Sequence, residues 1–222
     1  MLKAVLFDLD GTLVDSIGDL ADSGNFALRQ AGLPTFTDEE FAQRVGNGID
    51  ALINKLIPAQ SYFDRVKRDF NAYYDEHCCV RTKAYSGMKE LVLFLKAHGI
   101  RCGVVSNKPN AFTHKVVQTL YGKDTFDLIS GQRDGVPRKP DPFLVNEMLQ
   151  QLDVTKGEAY FVGDSEVDVQ TAQNAGLTVL GVSYGYRDRS VLEQQKADYI
   201  FDTPAELEKF FENILTNTQN RG

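Results

Sequence analysis

The sequence predicts an α/β protein: a Rossmann-like parallel-sheet core with a small α-helical cap domain inserted after the first strand. Two observations predict the sheet. Six short apolar runs, at residues 4–9, 102–106, 128–130, 160–162, 179–182 and 199–201, have the length and the β-branched and aromatic content of buried strands. From about residue 86 onward these runs alternate with helical patterns, as crossover units of a parallel sheet do. A third observation predicts the insertion, because residues 16–82 carry helical patterns only. The expected division is a catalytic core of residues 1–15 and 83–222 and a cap of residues 16–82.

Taken in chain order, the first strand runs into Asp8-Leu9-Asp10-Gly11-Thr12-Leu13. Helices are expected over 19–31, 38–45, 49–56 and 62–78. In the last of these Phe63, Val66, Phe70, Tyr73 and His77 recur at three- and four-residue steps. Thr37 with Glu40 forms a capping box for the second. An insertion leaving the chain beside two aspartates either covers them as a lid or stands as a helical domain with no part in the chemistry. Further on, Met88, Leu91, Val92 and Leu95 mark one helix face, Ala111, Val116, Val117 and Leu120 a second, and Phe143, Met148 and Leu152 a looser third. Gly32, Gly99 and Gly176, each followed by an apolar residue, read as left-handed C-caps. Thr203-Pro204-Ala205-Glu206 reads as a capping box with proline at the first helical position. The polar tail from Thr216 to Gly222 is expected to fray.

Composition narrows the function classes. The formal net charge of −7 excludes the basic surface that nucleic acid requires, while leaving room for a local basic pocket that takes a small anion. No apolar stretch approaches the roughly 20 residues that span a bilayer, and the N-terminus lacks a cleavable signal pattern. Cys78, Cys79 and Cys102 are odd in number and make no C-x-x-C pair, which argues against a disulfide framework or a zinc site. The expected setting is the reducing cytoplasm, without membrane or nucleic-acid partners.

The chemistry is carried by strand ends. Asp8 and Asp10, two residues apart on a strand, project to the same face. Nearby carboxylates repel unless a cation neutralises them, so the pair implies a hard metal such as Mg²⁺ and a carboxylate used as nucleophile or base. Open parallel sheets bind ligands beyond the carboxyl ends of their strands. There, Ser106, Asn107 and Lys108 precede a helix start, where a hydroxyl and free N–H groups suit a phosphate oxygen or simply cap the helix. Lys139, between Arg138 and Pro140, is held just outside another helix start by Pro140 and Pro142, with Asp141 as its N-cap. Asp164 ends a strand and fits a third carboxylate for the metal. Asp168 either caps its helix with Ser165 or serves the metal or the lysine. Carboxylates, a hydroxyl and a lysine at the strand ends of one sheet match phosphoryl transfer.

At these residues the chain resembles the haloacid dehalogenase superfamily of phosphatases and phosphomutases. Asp8-Leu9-Asp10-Gly11-Thr12-Leu13, Ser106-Asn107, Lys139-Pro140 and Gly163-Asp164 through Asp168 follow its four motifs in order. The resemblance implies Asp8 as nucleophile through an aspartyl-phosphate, and Asp10 as general acid and then base. It implies Thr12, Ser106 and Lys139 on the phosphoryl group, with Asn107 beside them. Mg²⁺ would be held by Asp8, the Asp10 main-chain carbonyl and Asp164, with Asp168 in support. Within the superfamily the chain looks most like the phosphoglycolate phosphatases, through Asp10-Gly11-Thr12-Leu13-Val14-Asp15-Ser16, Ala31-Gly32-Leu33-Pro34, Asn107-Lys108-Pro109 and Arg44-Val45-Gly46-Asn47-Gly48. The last string, with Arg44 and Asn47, would touch the non-phosphate end of a small phosphorylated metabolite, or is a plain helix–helix turn. The implied activity is hydrolysis of 2-phosphoglycolate by a monomer or homodimer. Alternatives are a phosphosugar phosphatase, a phosphomutase, or a pyrophosphatase or nucleotidase. A non-catalytic phosphate-binding module is opposed by the presence of Asp8, Asp10, Lys139 and Asp164 together.

Overall fold

The structure, a computed structural model, describes residues 1–219. Its central sheet has six parallel strands: β1 (Ala4–Phe7), β4 (Arg101–Pro109), β5 (Leu128–Gln132), β6 (Ala159–Gly163), β7 (Thr178–Val182) and β8 (Tyr199–Phe201), in the order β5-β4-β1-β6-β7-β8. Two short strands, β2 (Val14–Asp15) and β3 (Lys83–Ala84), pair antiparallel at the two ends of the helical segment. All six expected strands are present, with boundaries shifted by at most three residues.

Alternation along β1 shows why the strand is buried on both sides. Val5 and Phe7 enter one apolar cluster with Leu91, Val92 and Leu95 of α5 (Met88–Ala97), Val116 and Val117 of α6 (Asn110–Tyr121), and Leu207 and Phe211 of α10 (Pro204–Gln219). Ala4 and Leu6 enter a second cluster with Leu144, Val145 and Met148 of α7 (Phe143–Gln151), Val169 and Ala172 of α8 (Glu166–Ala175), and Leu192 of α9 (Arg189–Gln194). Helices thus cover both faces, as an all-parallel sheet requires. Gly32, Gly99 and Gly176 take positive φ at helix ends, as the sequence predicts. The Thr203 hydroxyl accepts from Glu206 N, but the Glu206 carboxylate reaches Asp202 N, one residue short of the expected box. The polar tail begins inside α10, which runs through Gln219, so Thr216 continues a helix; residues 220–222 lie outside the described residues.

Between β2 and β3 lie α1 (Ile17–Gln30), α2 (Asp38–Ala42), α3 (Ile49–Leu56) and α4 (Phe63–His77). The Thr37–Glu40 capping box is formed. The second helix stops three residues earlier than expected, at Ala42, because the chain must turn through Gly46 and Gly48. Gly48 has φ 82°, and a Cβ there would stand 3.0 Å from the main-chain oxygen of Asn107. A glycine is therefore what lets this turn lie against the end of β4. Leu20, Leu28, Leu52, Ile53, Phe70 and Tyr74 of these helices belong to the same apolar cluster as Val5 and Phe7.

Candidate active site

The site lies past the carboxyl ends of β1, β4 and β6. Sheet pairing continues one residue beyond β1, where Asp8 N donates to Val162 O at 2.9 Å. The chain then doubles back in a tight turn, with Leu13 N and Val14 N both donating to Leu9 O. Gly11 sits in that turn at φ 89°, and a Cβ there would come 2.3 Å from Asp164 Oδ2. Glycine alone allows the turn to pass this close to the β6 carboxylate.

Asp8, Asp164 and Asp168 each bring a carboxylate oxygen within 4.8 Å of the others. Lys139 Nζ lies 2.8 Å from Asp8 Oδ1 and 2.7 Å from Asp168 Oδ1. The other Asp168 oxygen accepts from Ser165 N at 3.1 Å and Ser165 Oγ at 2.6 Å. The two readings of Asp168 left open by the sequence, helix cap and lysine partner, are both present, one on each oxygen. Asp164 accepts from Thr12 Oγ1 at 3.1 Å and from Tyr186 N at 2.8 Å.

Burial dominates the electrostatics here. It pushes the Asp8 carboxyl up to about 7, with Asp168 adding to the rise and Lys139 opposing it. Burial likewise holds Asp164 well above the ordinary carboxylate range, helped by Asp168 and Asp8. The same burial disfavours the Lys139 ammonium, but Asp168 and Asp8 outweigh it and raise its pKa. Three carboxylates facing one ammonium leave an excess of two negative charges when all are ionised. Asp8 Oδ1 is buried, with the Lys139 ammonium beside it at 2.8 Å. The donor set is all oxygen and carries excess negative charge, and both suit a hard divalent cation.

Asp10 stands apart from this group. Its carboxylate accepts from Ser16 Oγ at 2.5 Å and from Lys108 Nζ at 2.8 and 2.9 Å, one bond to each oxygen. Tyr186 backs this network, its hydroxyl accepting from Ser16 N at 2.9 Å. Both aspartates lie beyond the end of β1 at Phe7 rather than on one strand face as the sequence predicts, and they occupy different electrostatic settings.

Beside them is a cavity of about 40 Å³. Asp8, Asp10, Ser106, Asn107 and Lys108 form its core side; Leu20, Val45, Gly46, Gly48, Ile49 and Leu52 form its roof. The roof is tied down from the core. Arg187 pairs with Glu166 and donates to Ala42 O at 2.9 Å and Val45 O at 2.7 Å, while Arg138 meets Asp50 at 3.1 Å.

Several residues singled out by the sequence are placed differently from expectation. Thr12 is fully buried, and its hydroxyl donates to Asp164 rather than opening on the cavity. Asn107 uses its side-chain amide to clamp the main chain of Lys139, accepting from Lys139 N at 2.8 Å and donating to Lys139 O at 3.1 Å; it also donates to Gly46 O at 3.2 Å. Arg44 does not line the cavity, because its guanidinium bonds Glu40 O and lies over the Phe36 ring, 4.7 Å from its centroid. Asn47 does not line it either; its neighbours Gly46 and Gly48 do. Lys108 stands at the strand end next to Ser106 and Asn107, yet its pairing with Asp10 carries no sequence signal. The roof residues Leu20, Ile49 and Leu52 read in sequence as ordinary helix-face leucines and isoleucine.

The fold and this cluster define a hydrolase of the haloacid dehalogenase class, and the comparisons agree. The model of the haloacid dehalogenase-like hydrolase family matches residues 5–182, and the chain belongs to that family. It is a phosphatase of that family, a phosphoric monoester hydrolase. Among its relatives is the phosphoglycolate phosphatase of Chromobacterium violaceum, 34% identical over 96% of this chain and 97% of that protein. That of Colwellia psychrerythraea is 32% identical over 92% and 95%. A crystal structure described as a predicted phosphoglycolate phosphatase from Haemophilus somnus superposes with a TM-score of 0.88 at 32% identity, covering 95% of this chain and 98% of that one.

Proposed function

We propose that this chain is a Mg²⁺-dependent phosphomonoesterase acting on a small phosphorylated metabolite, with 2-phosphoglycolate the first candidate, through an aspartyl-phosphate intermediate. The observation that carries the reading is the division between the two aspartates of the first motif. Asp8 faces Lys139, Asp164 and Asp168, whereas Asp10 is held separately by Ser16 and Lys108.

Asp8 attacks phosphorus as the carboxylate and carries the phosphoryl group until water removes it. Asp10 gives a proton to the leaving oxygen and then takes one from the attacking water. Lys139, held by Asn107, pairs with the attacking carboxylate and with a phosphoryl oxygen; Ser106, on the cavity wall, offers its hydroxyl to another. Thr12 and Tyr186 orient Asp164. The metal would be held by Asp8, the main-chain carbonyl of Asp10 and Asp164, with Asp168 in support. When bound it neutralises the excess negative charge, keeping Asp8 ionised and lowering repulsion with the phosphate. Phosphate monoester hydrolysis needs acceleration of up to ~10²¹-fold, far more than the ~7–11 kcal/mol that positioning supplies, so nucleophile and charge neutralisation are both required.

Substrate size follows from the cavity and its cap, residues 16–82. About 40 Å³ is far below the roughly 300–1,000 Å³ of pockets that enclose drug-sized ligands. A two-carbon ester suits the closed arrangement better than a sugar or a nucleotide does. The names of the relatives support the same substrate. The test is a panel of phosphoglycolate, phosphosugars, nucleotides and pyrophosphate with Mg²⁺, ranked by kcat/KM. Phosphoglycolate at the head supports the reading; a sugar phosphate or nucleotide at the head refutes the substrate assignment.

A further inference from the structure

Lys108 enters the chemistry proposed above only as a partner that holds Asp10, yet it is the only cationic side chain among the described residues lining the cavity. Its side chain is 2% exposed, so the ammonium is desolvated and its bonding can be followed donor by donor. An ammonium has three N–H donors. Both oxygens of the single Asp10 carboxylate lie within reach, at 2.8 and 2.9 Å, and occupy at most two of them. The third meets no acceptor among the described residues. On another side the ring of Tyr74 lies 4.9 Å from Nζ, a cation–π contact that steadies the charge without consuming a donor. The base of the side chain is fixed as well: Lys108 N donates to Ser106 Oγ and Lys108 O accepts from Thr113 Oγ1.

The geometry points to Lys108 as the specificity residue that receives a carboxylate on the substrate's non-phosphate end, through this third N–H. The assignment rests on the phosphatase reading and deepens it. Asp10 is the group proposed to meet the ester oxygen, and Lys108 touches Asp10. A carboxylate separated from the ester oxygen by one methylene therefore comes within reach of the same ammonium. On the roof opposite, the side chains of Leu20, Ile49 and Leu52 are apolar and offer no donor to an anion. An anionic tail directed onto those side chains, away from Lys108, would be buried against apolar groups, which is strongly unfavourable. A tail one carbon longer carries its carboxylate past Lys108 toward that roof. One ammonium thus sets both the charge and the length of the preferred tail.

The test compares 2-phosphoglycolate, its one-carbon-longer homologue 3-phosphonooxypropanoate and uncharged-tail ethyl phosphate, in wild type and Lys108→Met. Two readouts are taken: kcat/KM with Mg²⁺, and dissociation constants in an Asp8→Asn background with Mg²⁺. Charged hydrogen bonds of this kind predict that Lys108→Met lowers the preference for phosphoglycolate over ethyl phosphate by about 10- to 100-fold in both. The preference over the longer homologue should shrink as well. Equal losses on phosphoglycolate and ethyl phosphate would overturn the assignment and leave Lys108 as a positioning residue for Asp10. If wild type turns over none of these esters, the small-ester substrate reading fails, and the dissociation constants still decide the role of Lys108. Should Lys108→Met not fold, Lys108→Gln keeps a donor for Asp10 without the charge and serves the same comparison.

Discussion

Replacing Asn107 separates two roles that one residue at this strand end could play. As a phosphate ligand, its loss would raise KM and leave stability alone. As the clamp seen here, its loss breaks three hydrogen bonds at once, two to the main chain of Lys139 and one to Gly46 O. Lys139 is 3% exposed, so Asn107→Ala strands a buried N–H and a buried C=O. At about 1–3 kcal/mol for each unsatisfied buried group, the expected loss is about 2–6 kcal/mol. For a chain of this size that lowers Tm by roughly 4–24 °C. Asn107→Asp should be worse, since it sets a carboxylate oxygen against the carbonyls of Lys139 and Gly46. Once the clamp is gone, the Lys139 ammonium loses its register on Asp8, and kcat should fall about 100-fold, as for a misplacement near 1 Å. Calorimetry and steady-state kinetics on both variants check this. A Tm within 2 °C of wild type together with a change confined to KM would refute the clamp.

Asp8→Asn should abolish turnover while leaving the fold intact, because burial already favours the neutral form of this side chain; more than about 1% residual activity would remove Asp8 as nucleophile. Mg²⁺ at 100 times its dissociation constant should stabilise the protein by about 2.7 kcal/mol, read as a thermal shift that Asp164→Asn abolishes. Without metal, the folded state holds the Asp8 proton up to about 7, against the ordinary 3.8 of the unfolded chain. Between those values the folded state binds more protons than the unfolded one, so metal-free stability should fall as pH rises through the window. Denaturant midpoints across pH, with and without Mg²⁺, should show that slope only in the metal-free protein. Arg187→Ala releases two main-chain contacts on the roof and should increase hydrogen exchange between residues 38 and 48 while lowering kcat/KM; unchanged exchange would mean that Arg187 does not hold the roof.

The sheet was readable in the sequence because each strand is a short apolar run between turn and cap residues, and burial on both faces leaves no competing pattern. Boundaries slipped where local chemistry intervenes. The first strand ends at Phe7 rather than at residue 9, because Gly11 turns the chain directly back over Asp164. The second helix ends early at the Gly46–Gly48 turn for a similar reason. Asp8 and Asp164 of the acidic cluster were readable because they follow strand ends, where the topology makes them converge, and Asp168 because its spacing from Ser165 places it in the first turn of the next helix. The hydrogen-bond assignments were not. Asn107 and Thr12 have the residue types of phosphate ligands, and only three-dimensional neighbours show that their polar atoms are already engaged with Lys139 and Asp164. Arg44 was singled out by the resemblance of the string Arg44-Val45-Gly46-Asn47-Gly48, but Phe36 and Glu40 O lie within the reach of its long side chain and hold it outside the cavity.

How one strand gives two aspartates different tasks is then a matter of their partners. Asp8 is buried among like charges with a single lysine between it and Asp168, which makes its ionisation depend on a cation. Asp10 follows two residues later, but the tight turn beyond Phe7 carries it to Ser16 and Lys108, away from the three clustered carboxylates. A carboxylate kept ionised by a metal is suited to attack, and one held outside that cluster by Ser16 and Lys108 is left for the separate role proposed for Asp10. Swapping those environments should swap the behaviour. Lys108→Met strips Asp10 of its cation and leaves every contact between Lys139 and the Asp8 cluster in place, so under the proposed mechanism a burst of phosphoenzyme formation should survive in that variant while its hydrolysis, assigned there to Asp10 as base, slows. Rapid-quench measurement of both phases tests this, and loss of the burst itself would show that the two aspartates are not electrostatically independent.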